Sequence, residues 1–242
     1  MKLKKLIKDL NIEVKGSKEV DIVGISSHSQ FVTPGCLFIA KKGKQFDGTQ
    51  YIPAAIQSGA SAILTDVFNP FLSKVVQLIT SDIEKVESII AQRYYSIDTK
   101  KFHYIGITGT NGKTTSAYLI YHFLKNFGLM GTIETIFGHQ RVQSQLTTGD
   151  MVTNYKACKE MYDQGLDGVV MEVTSHALDQ NRLGGICYDQ AIFTNISHDH
   201  LDYHETMDKY FNAKCKLISI SKEHIYNIDD PWFCKLNSGA TF

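Results

Sequence analysis

The sequence has no excess of either charge, no closely paired cysteines and no long apolar run. Lysine plus arginine and aspartate plus glutamate number 25 each, so no overall field favours nucleic acid or an anionic membrane. The five cysteines lack a C-x-x-C pair, which indicates reduced thiols in a cytoplasm. No span is long and apolar enough to cross a bilayer. We therefore expect a cytoplasmic protein with no nucleic-acid partner and no membrane insertion.

The composition is that of a globular protein, since 43% of the 242 residues are hydrophobic and 21% are charged. Short apolar runs alternate with helical patterns along the chain, which predicts an α/β fold. A polar piece at residues 96–101 indicates a domain boundary. We predict a small N-terminal α/β domain at residues 1–98 and a P-loop-type domain with a doubly wound parallel sheet at residues 99–242.

Four local patterns make specific predictions about helices and strands. A helix is expected at Leu3–Leu10, and residues 81–84, with serine first and glutamate last, match a capping box. The helix that starts at Lys113 is expected to stop at Gly128. The stretch Gly131–Ile136 is expected to be a strand.

The stretch Tyr104–Thr115 combines an apolar run, a glycine-rich turn and the start of a helix, which is the order of a phosphate-binding loop. Small residues let backbone N–H groups approach an anion, Lys113 adds a positive charge, and the Thr114 hydroxyl is a ligand for Mg²⁺. The strict pattern G-x-x-x-x-G-K-[ST] is not met, because Ile107 occupies the first glycine position. A turn that merely packs would not need a lysine at a helix start, where its charge opposes the dipole. The predicted nucleotide phosphate site comprises Gly109, Thr110, Asn111, Gly112, Lys113, Thr114 and Thr115.

Polar residues follow three apolar runs that are typical of buried parallel strands. Ligands of doubly wound sheets bind beyond the carboxyl ends of strands, so Thr108, Glu172 and Asn195 are expected to converge. A carboxylate placed like Glu172 supplies a second Mg²⁺ contact in an NTPase. The alternative is an exposed glutamate at a strand end.

Histidine and aspartate are concentrated in residues 195–204, which predicts a metal site without identifying its ions. One alternative is a binuclear metallohydrolase with the pattern H-x-H-x-D-H. The stretch misses that pattern by one place, because Tyr203 stands where the last histidine belongs. A solvated polar turn is a further alternative.

Lys214 lies in the middle of the apolar face of a predicted helix, with Tyr210 and Ile218 four residues away on either side. Burial lowers the pKa of a lysine, and the neutral amine can add CO₂ to become a carbamate, a carboxylate-like ligand for magnesium. The alternative is a lysine whose stem runs along the face while its ammonium group reaches solvent.

With these residues identified, the chain resembles the Mur ligases of peptidoglycan synthesis, and within them the MurE type. The resemblance runs over essentially the whole chain. Its most specific pieces are Gly109–Thr115, Glu172–Leu178, Thr194–His204 and Ala213 with Lys214. It implies that residues 1–98 bind a UDP substrate and that residues 99–242 form an incomplete ATP-binding domain.

The resemblance implies ATP-dependent amide bond formation through an acyl phosphate. The substrates would be UDP-N-acetylmuramoyl-L-alanyl-D-glutamate and a diamino acid, either L-lysine or meso-diaminopimelate. The cofactors would be ATP and Mg²⁺, with Lys113, His200 and Lys214 as catalytic residues. Thr114, Glu172, His200 and a carbamylated Lys214 would hold the metal, and Asn195 would join the loop in binding the nucleotide. The residues that match the family's contacts to the UDP-muramoyl dipeptide are Ser29, Thr147, Thr148, Thr174, Gln180 and Arg182.

The sequence departs from the family in two motifs and in length. Ser29 is flanked by His28 and Gln30 instead of aspartate and arginine, which weakens the expected nucleotide site. Gly149 replaces a family proline, which loosens a loop. Family members are much longer and carry a C-terminal domain that selects the amino acid, so we expect a fragment or one half of a split enzyme, with a separate C-terminal half as partner. The alternatives are a non-catalytic remnant that binds these nucleotides and a different P-loop enzyme such as a small-molecule kinase.

Overall fold

The computed structural model describes residues 1–42 and 47–237, and these divide into two compact units. The first unit comprises Met1–Ser96 with Met151–Tyr155, and the second comprises Ile97–Asp150 with Lys156–Phe242. The functional domains assigned to residues 1–98 and 99–242 stay a prediction. No helix in the described ranges has both the length and the apolar character needed to span a membrane.

The first unit is built on a five-stranded sheet whose order is β1-β5-β4-β3-β2. Strand β1 is antiparallel to β5, and the other neighbours are parallel. Its elements are α1 (Leu3–Leu6), β1 (Glu13–Lys15), β2 (Gly24–Ser26), β3 (Cys36–Ile39), α2 (Ile52–Gln57), β4 (Ala62–Thr65), β5 (Val76–Ile79) and α3 (Ile83–Tyr95).

Two predictions about helix ends in this unit are wrong. Helix α1 ends at Leu6 instead of Leu10. The predicted capping box at residues 81–84 does not form, because the N-cap of α3 is Asp82, whose carboxylate accepts a hydrogen bond from the Lys85 amide at 3.2 Å. Aspartate caps a helix as well as serine does, so the chain starts the helix one residue later than the pattern indicated.

The second unit is built on a seven-stranded sheet whose order is β12-β11-β6-β10-β7-β8-β9. Its elements are β6 (His103–Thr108), α4 (Lys113–Phe123), β7 (Phe127–Met130), β8 (Glu134–Phe137), β9 (Gln140–Gln143), α5 (Met151–Asp163), β10 (Gly168–Glu172), α6 (Ser175–Asp179), β11 (Tyr188–Phe193), α7 (Leu201–His204), α8 (Met207–Ser219), β12 (Ser221–Tyr226) and α9 (Pro231–Asn237). Strands β12, β11, β6, β10 and β7 are parallel, and β8 and β9 extend the sheet as antiparallel strands. The predicted α/β class, with a doubly wound parallel sheet in the second unit, is confirmed.

The central parallel strands β6, β10 and β7 are largely apolar and buried. All five residues of β10 are buried, and Val170 packs in one cluster with Ile107, Ala117 and Leu129. A strand that is buried on both faces has a continuous apolar sequence. The central strands could therefore be predicted from their apolar sequence runs. Their carboxyl ends lie at one edge of the sheet, next to the phosphate loop.

Two element boundaries in this unit differ from the sequence prediction. Helix α4 ends at Phe123, whose side chain is 75% exposed, and the predicted stop, Gly128, lies inside β7. The predicted strand Gly131–Ile136 is a turn followed by β8. In both places pairing with β10 decided the outcome, because residues 127–130 form a parallel ladder with that strand.

Candidate functional site

The glycine-rich loop connects the end of β6 to the start of α4. Gly109 has φ of +150° and Gly112 has φ of +82°, both in the range that favours glycine. A Cβ atom added to Gly109 would lie only 1.9 Å from Thr194 Oγ1, so the loop backbone passes directly against the residue that follows β11. The loop is thus a backbone surface in front of a helix N-terminus, which is a favourable place for an anion.

The residues that follow β11 hold the loop in place. Thr194 Oγ1 donates a hydrogen bond to Asn111 O at 2.7 Å. The Asn195 amide accepts from Asn111 N at 2.9 Å and donates to Asn111 O at 3.0 Å. These bonds confirm the predicted convergence of β6 and β11, and they make Asn195 a residue that positions the loop backbone.

Lys113, the first residue of α4, turns back over the loop. Its Nζ donates to Gly109 O at 3.0 Å and to Thr110 O at 2.9 Å. Burial lowers the pKa of Lys113, while the negative charges of Glu172 and Asp199 partly oppose this effect. The Lys113 side chain is therefore held against the carbonyl groups of the loop in which the sequence predicts a phosphate site.

Glu172, the last residue of β10, is 1% exposed and is held by two threonines. Thr114 Oγ1 donates to Glu172 Oε2 at 2.9 Å. Thr132 donates twice, from its hydroxyl to Oε2 at 3.0 Å and from its amide to Oε1 at 2.8 Å. The exposed-glutamate alternative is wrong, and the carboxylate with its neighbouring hydroxyl is the oxygen donor set that Mg²⁺ prefers.

Lys214 is buried in the second unit, on the apolar face of α8. It is 1% exposed, and its Nζ donates to Gly109 O at 2.8 Å and lies 4.6 Å from the centre of the Tyr210 ring. Burial and the neighbouring charge of Lys113 lower the pKa of Lys214 to about 7, with an opposing effect from Asp199. The alternative of an ammonium group reaching solvent is wrong, and a large fraction of this amine is neutral near pH 7.

His200 lies beside the loop with a half-exposed side chain and a left-handed backbone, at φ of +51°. Its ring centre is 4.8 Å from that of His176. Within residues 1–42 and 47–237, no three His, Cys, Asp or Glu side chains are grouped to hold a metal ion. The described residues therefore give no support to a metal site formed by residues 195–204 alone, or to the binuclear metallohydrolase alternative. The predicted magnesium set contains only two residues of these types, Glu172 and His200, and stays a prediction.

A cleft of about 470 Å³ opens above the loop. Its lining contains most of the predicted nucleotide and metal residues together with one residue that no motif indicated, Thr132. The lining residues are Thr110, Asn111, Gly112, Lys113, Thr114, Thr115, Thr132, Thr147, Thr174 and His200. The glycines at the loop and the oxygen donors around Glu172 both fit a magnesium-bound nucleotide phosphate.

The predicted dipeptide-binding residues form three sets: two line the cleft, three are hydrogen-bonded to one another, and one belongs to the first unit. Thr147 and Thr174 line the cleft. Thr148 is buried, and its hydroxyl donates to Glu172 O at 2.8 Å, so it supports the end of β10. Gln180 Oε1 accepts two hydrogen bonds from Arg182, at 2.9 and 2.6 Å.

Arg182 also donates to Thr148 O at 3.0 Å, and burial lowers its pKa. Thr148, Gln180 and Arg182 thus form one hydrogen-bonded group that continues from the strand end. Ser29, in contrast, belongs to the first unit, where it begins a short 3-10 helix that follows β2.

Curated proteins similar to this chain include two ligases that share one name. A UDP-N-acetylmuramoyl-L-alanyl-D-glutamate--2,6-diaminopimelate ligase of Chlamydia caviae is 40% identical over 224 residues, which are 90% of this chain and 46% of that protein. The protein with the same name from Clostridium perfringens is 37% identical over 237 residues, or 96% of this chain and 49% of that protein. The chain thus spans about half the length of the curated relatives it matches.

Solved structures and family comparisons agree with these relatives. A structure of a UDP-N-acetylmuramoyl-L-alanyl-D-glutamate--2,6-diaminopimelate ligase has a TM-score of 0.77 at 25% identity, covering 98% of this chain and 49% of that one. MurF from Acinetobacter baumannii shares the fold, with a TM-score of 0.72 at 16% identity over 98% of this chain and 50% of its own. Residues 21–102 match the Mur ligase family, catalytic domain, and residues 107–241 match the Mur ligase middle domain. On this evidence the chain belongs to the Mur ligase family.

Proposed function

We propose that this chain is the part of a cytoplasmic ligase that binds ATP and UDP-N-acetylmuramoyl-L-alanyl-D-glutamate, and that the ligase adds the third amino acid in peptidoglycan synthesis. The curated relatives are named for 2,6-diaminopimelate, which favours that diamino acid over lysine. One observation carries the proposal. Lys113 and Lys214 both donate a hydrogen bond to the carbonyl oxygen of Gly109. Thr114, which follows Lys113 in the sequence, donates a hydrogen bond to the buried Glu172.

The loop residues have the task of binding and neutralising phosphate. The backbone N–H groups of residues 112–115 and the Lys113 ammonium would bind the phosphate groups. The proposed metal ligands are Thr114, Glu172, His200 and Lys214. When bound, ATP with Mg²⁺ supplies the phosphoryl group that activates the substrate carboxylate. Catalysis by the chain is then mainly positioning and charge neutralisation.

Lys214 is the proposed site of a carbamate. The ammonium first loses one proton, and the neutral amine then attacks the carbon of CO₂. A new N–C bond forms, one C=O π bond of CO₂ opens, and the nitrogen releases a second proton, so a positive side chain becomes negative with the loss of two protons. The burial of the amine and its pKa of about 7 support this step, because the attacking form is well populated near neutral pH. The product is a carboxylate-like ligand beside the loop.

The peptide end of the substrate is proposed to lie along Thr147 and Thr174, the two dipeptide-binding candidates that line the cleft. Arg182 is a planar cation suited to a carboxylate or phosphate, and Gln180 orients it through two hydrogen bonds. Thr148 acts through the backbone of β10, because its hydroxyl is engaged there. Ser29 is the proposed contact to the uridine nucleotide.

A complementation assay tests the proposal. Phosphate release is measured with ATP, Mg²⁺, the dipeptide nucleotide and either diaminopimelate or lysine, with and without the C-terminal half of a relative added as a separate chain. We expect release only when both halves and diaminopimelate are present. Binding of the nucleotides without release in any mixture would instead identify a non-catalytic remnant. Phosphoryl transfer to a stable hydroxyl would identify a kinase.

A further inference from the structure

The turn between β7 and β8 presents Thr132 to Glu172 through two hydrogen bonds. The Thr132 amide reaches Oε1 at 2.8 Å, and the hydroxyl reaches Oε2 at 3.0 Å, so both oxygens of one carboxylate are held by one residue. The approach is possible because Gly131 has no side chain. A Cβ added there would lie 2.4 Å from Glu172 Oε1.

Thr132 also contacts the side of the cleft assigned to the peptide. Its Oγ1 lies 3.1 Å from Thr147 Oγ1, and both residues line the cleft. The same carboxylate accepts a hydrogen bond from Thr114 at 2.9 Å. One residue is therefore in contact with both the proposed metal ligands and the proposed substrate site.

The chemistry of these groups fixes the direction of each hydrogen bond. A carboxylate only accepts, so the single hydroxyl proton of Thr132 goes to Glu172. Thr147 must then donate its own proton to Thr132, which leaves its two lone pairs for other partners. Because the Thr114 proton is also directed at Glu172, the lone pairs of Thr114 are left for a cation.

We propose that Thr132 is a positioning residue with two effects. It holds the Glu172 carboxylate in the orientation that Mg²⁺ requires, and it makes the Thr147 hydroxyl an acceptor for an N–H group in the peptide part of the UDP-linked substrate. The inference deepens the proposed function and rests on it. Substitution of Thr132 by valine keeps the shape of the side chain but removes both the proton given to Glu172 and the acceptor for Thr147.

Isothermal titration of the intact chain tests this role with three probes, which are ADP with Mg²⁺, UDP-N-acetylmuramoyl-L-alanyl-D-glutamate, and UDP-N-acetylmuramate without the dipeptide. For Thr132→Val we expect Mg²⁺-dependent ADP affinity and dipeptide-nucleotide affinity each to fall by about 3- to 10-fold. Affinity for UDP-N-acetylmuramate should stay the same, because it lacks the peptide N–H groups. Thr132→Ser keeps the hydroxyl and should restore both affinities to within about twofold.

Two control variants separate this role from general damage. Thr135 lies in β8, close to Thr132 in the sequence, and its hydroxyl is 3.4 Å from the hydroxyl of Ser144. The control variant Thr135→Val should change none of the affinities. Thr147→Val should lower only the affinity for the dipeptide nucleotide. The inference is overturned if Thr132→Val binds both ligands as tightly as the unmodified chain, or if Thr135→Val weakens them equally. An unmodified chain that binds neither ligand would overturn the proposed function itself.

Discussion

Two lysine side chains share one backbone acceptor at the loop, and their proximity adds to the effect of burial on the pKa of Lys214. Lys113 and Lys214 both donate to Gly109 O, at 3.0 and 2.8 Å. Burial makes the charge of Lys214 costly, and repulsion by the nearby Lys113 ammonium adds to that cost. Loss of the Lys214 proton removes the repulsion, and a carbamate would convert it into attraction. The charge of Lys113 therefore favours the neutral amine of Lys214, and it would favour the proposed carbamate for the same reason.

The lowered pKa of Lys214 should be detectable in the pH dependence of the free energy of unfolding. The folded pKa of Lys214 is about 7, below its ordinary value of 10.5. Below pH 7 both states carry the proton and the cost of burying the charge is fully present, whereas between pH 7 and 10.5 the unfolded state binds more protons. The free energy of unfolding should therefore rise with pH across this window, by up to about 1.4 kcal/mol per pH unit from this group.

Urea denaturation from pH 7.5 to 9.5 in CO₂-free buffer measures the effect. Lys214→Met should lose this part of the pH slope. Lys216→Met, which removes an exposed lysine paired with Asp179 on the same helix, should keep it. Equal slopes in the unmodified chain and Lys214→Met would show that Lys214 has an ordinary pKa.

At the scale of single residues, the sequence predicted the groups that belong to a recognisable pattern and missed one that does not. Lys113, Thr114 and Glu172 follow from the loop and the strand end, and Lys214 from its place on an apolar face. Thr132 carries no comparable signal, because it falls inside a stretch whose composition predicted a strand. Its role depends on a turn that brings residue 132 against residue 172, and such a contact is set by tertiary pairing.

At the scale of elements, strands were more predictable than helix ends. Strand β10 is buried along its whole length, so its apolar run is continuous, and the parallel neighbours β6 and β11 are recognisable for the same reason. Helix ends depend on which of several polar residues caps them. At α3 both Ser81 and Asp82 qualify, and the structure uses Asp82.

The cap of α3 gives a prediction about stability. Asp82→Ala should lower the free energy of unfolding of the first unit by about 1 kcal/mol, because the Lys85 amide loses its acceptor. Ser81→Ala should change it by less than about 0.5 kcal/mol. Chemical denaturation followed by circular dichroism measures both variants. If the serine variant proved the less stable of the two, the capping box that the sequence suggested would be the true cap.

At the scale of the whole molecule, the fold serves to bring three strand ends together. Strands β10 and β11 flank β6 in the sheet, although they lie far from it in the sequence. The order β12-β11-β6-β10-β7 was not predictable from the sequence, since it depends on crossovers that leave no local pattern. What the sequence did indicate is that the carboxyl ends of parallel strands meet, and this was enough to locate the loop, Glu172 and Asn195 at one edge.

A crystal of the chain grown with ADP, and with Mn²⁺ in place of Mg²⁺, would show whether this sheet edge holds a magnesium-bound nucleotide. The anomalous signal of manganese locates the ion without reference to the protein atoms. We expect a peak in the cleft at direct coordination distance from Thr114 Oγ1 or the Glu172 carboxylate, with the diphosphate over the N–H groups of residues 112–115. A nucleotide bound elsewhere, or manganese located away from both of these side chains, would contradict it.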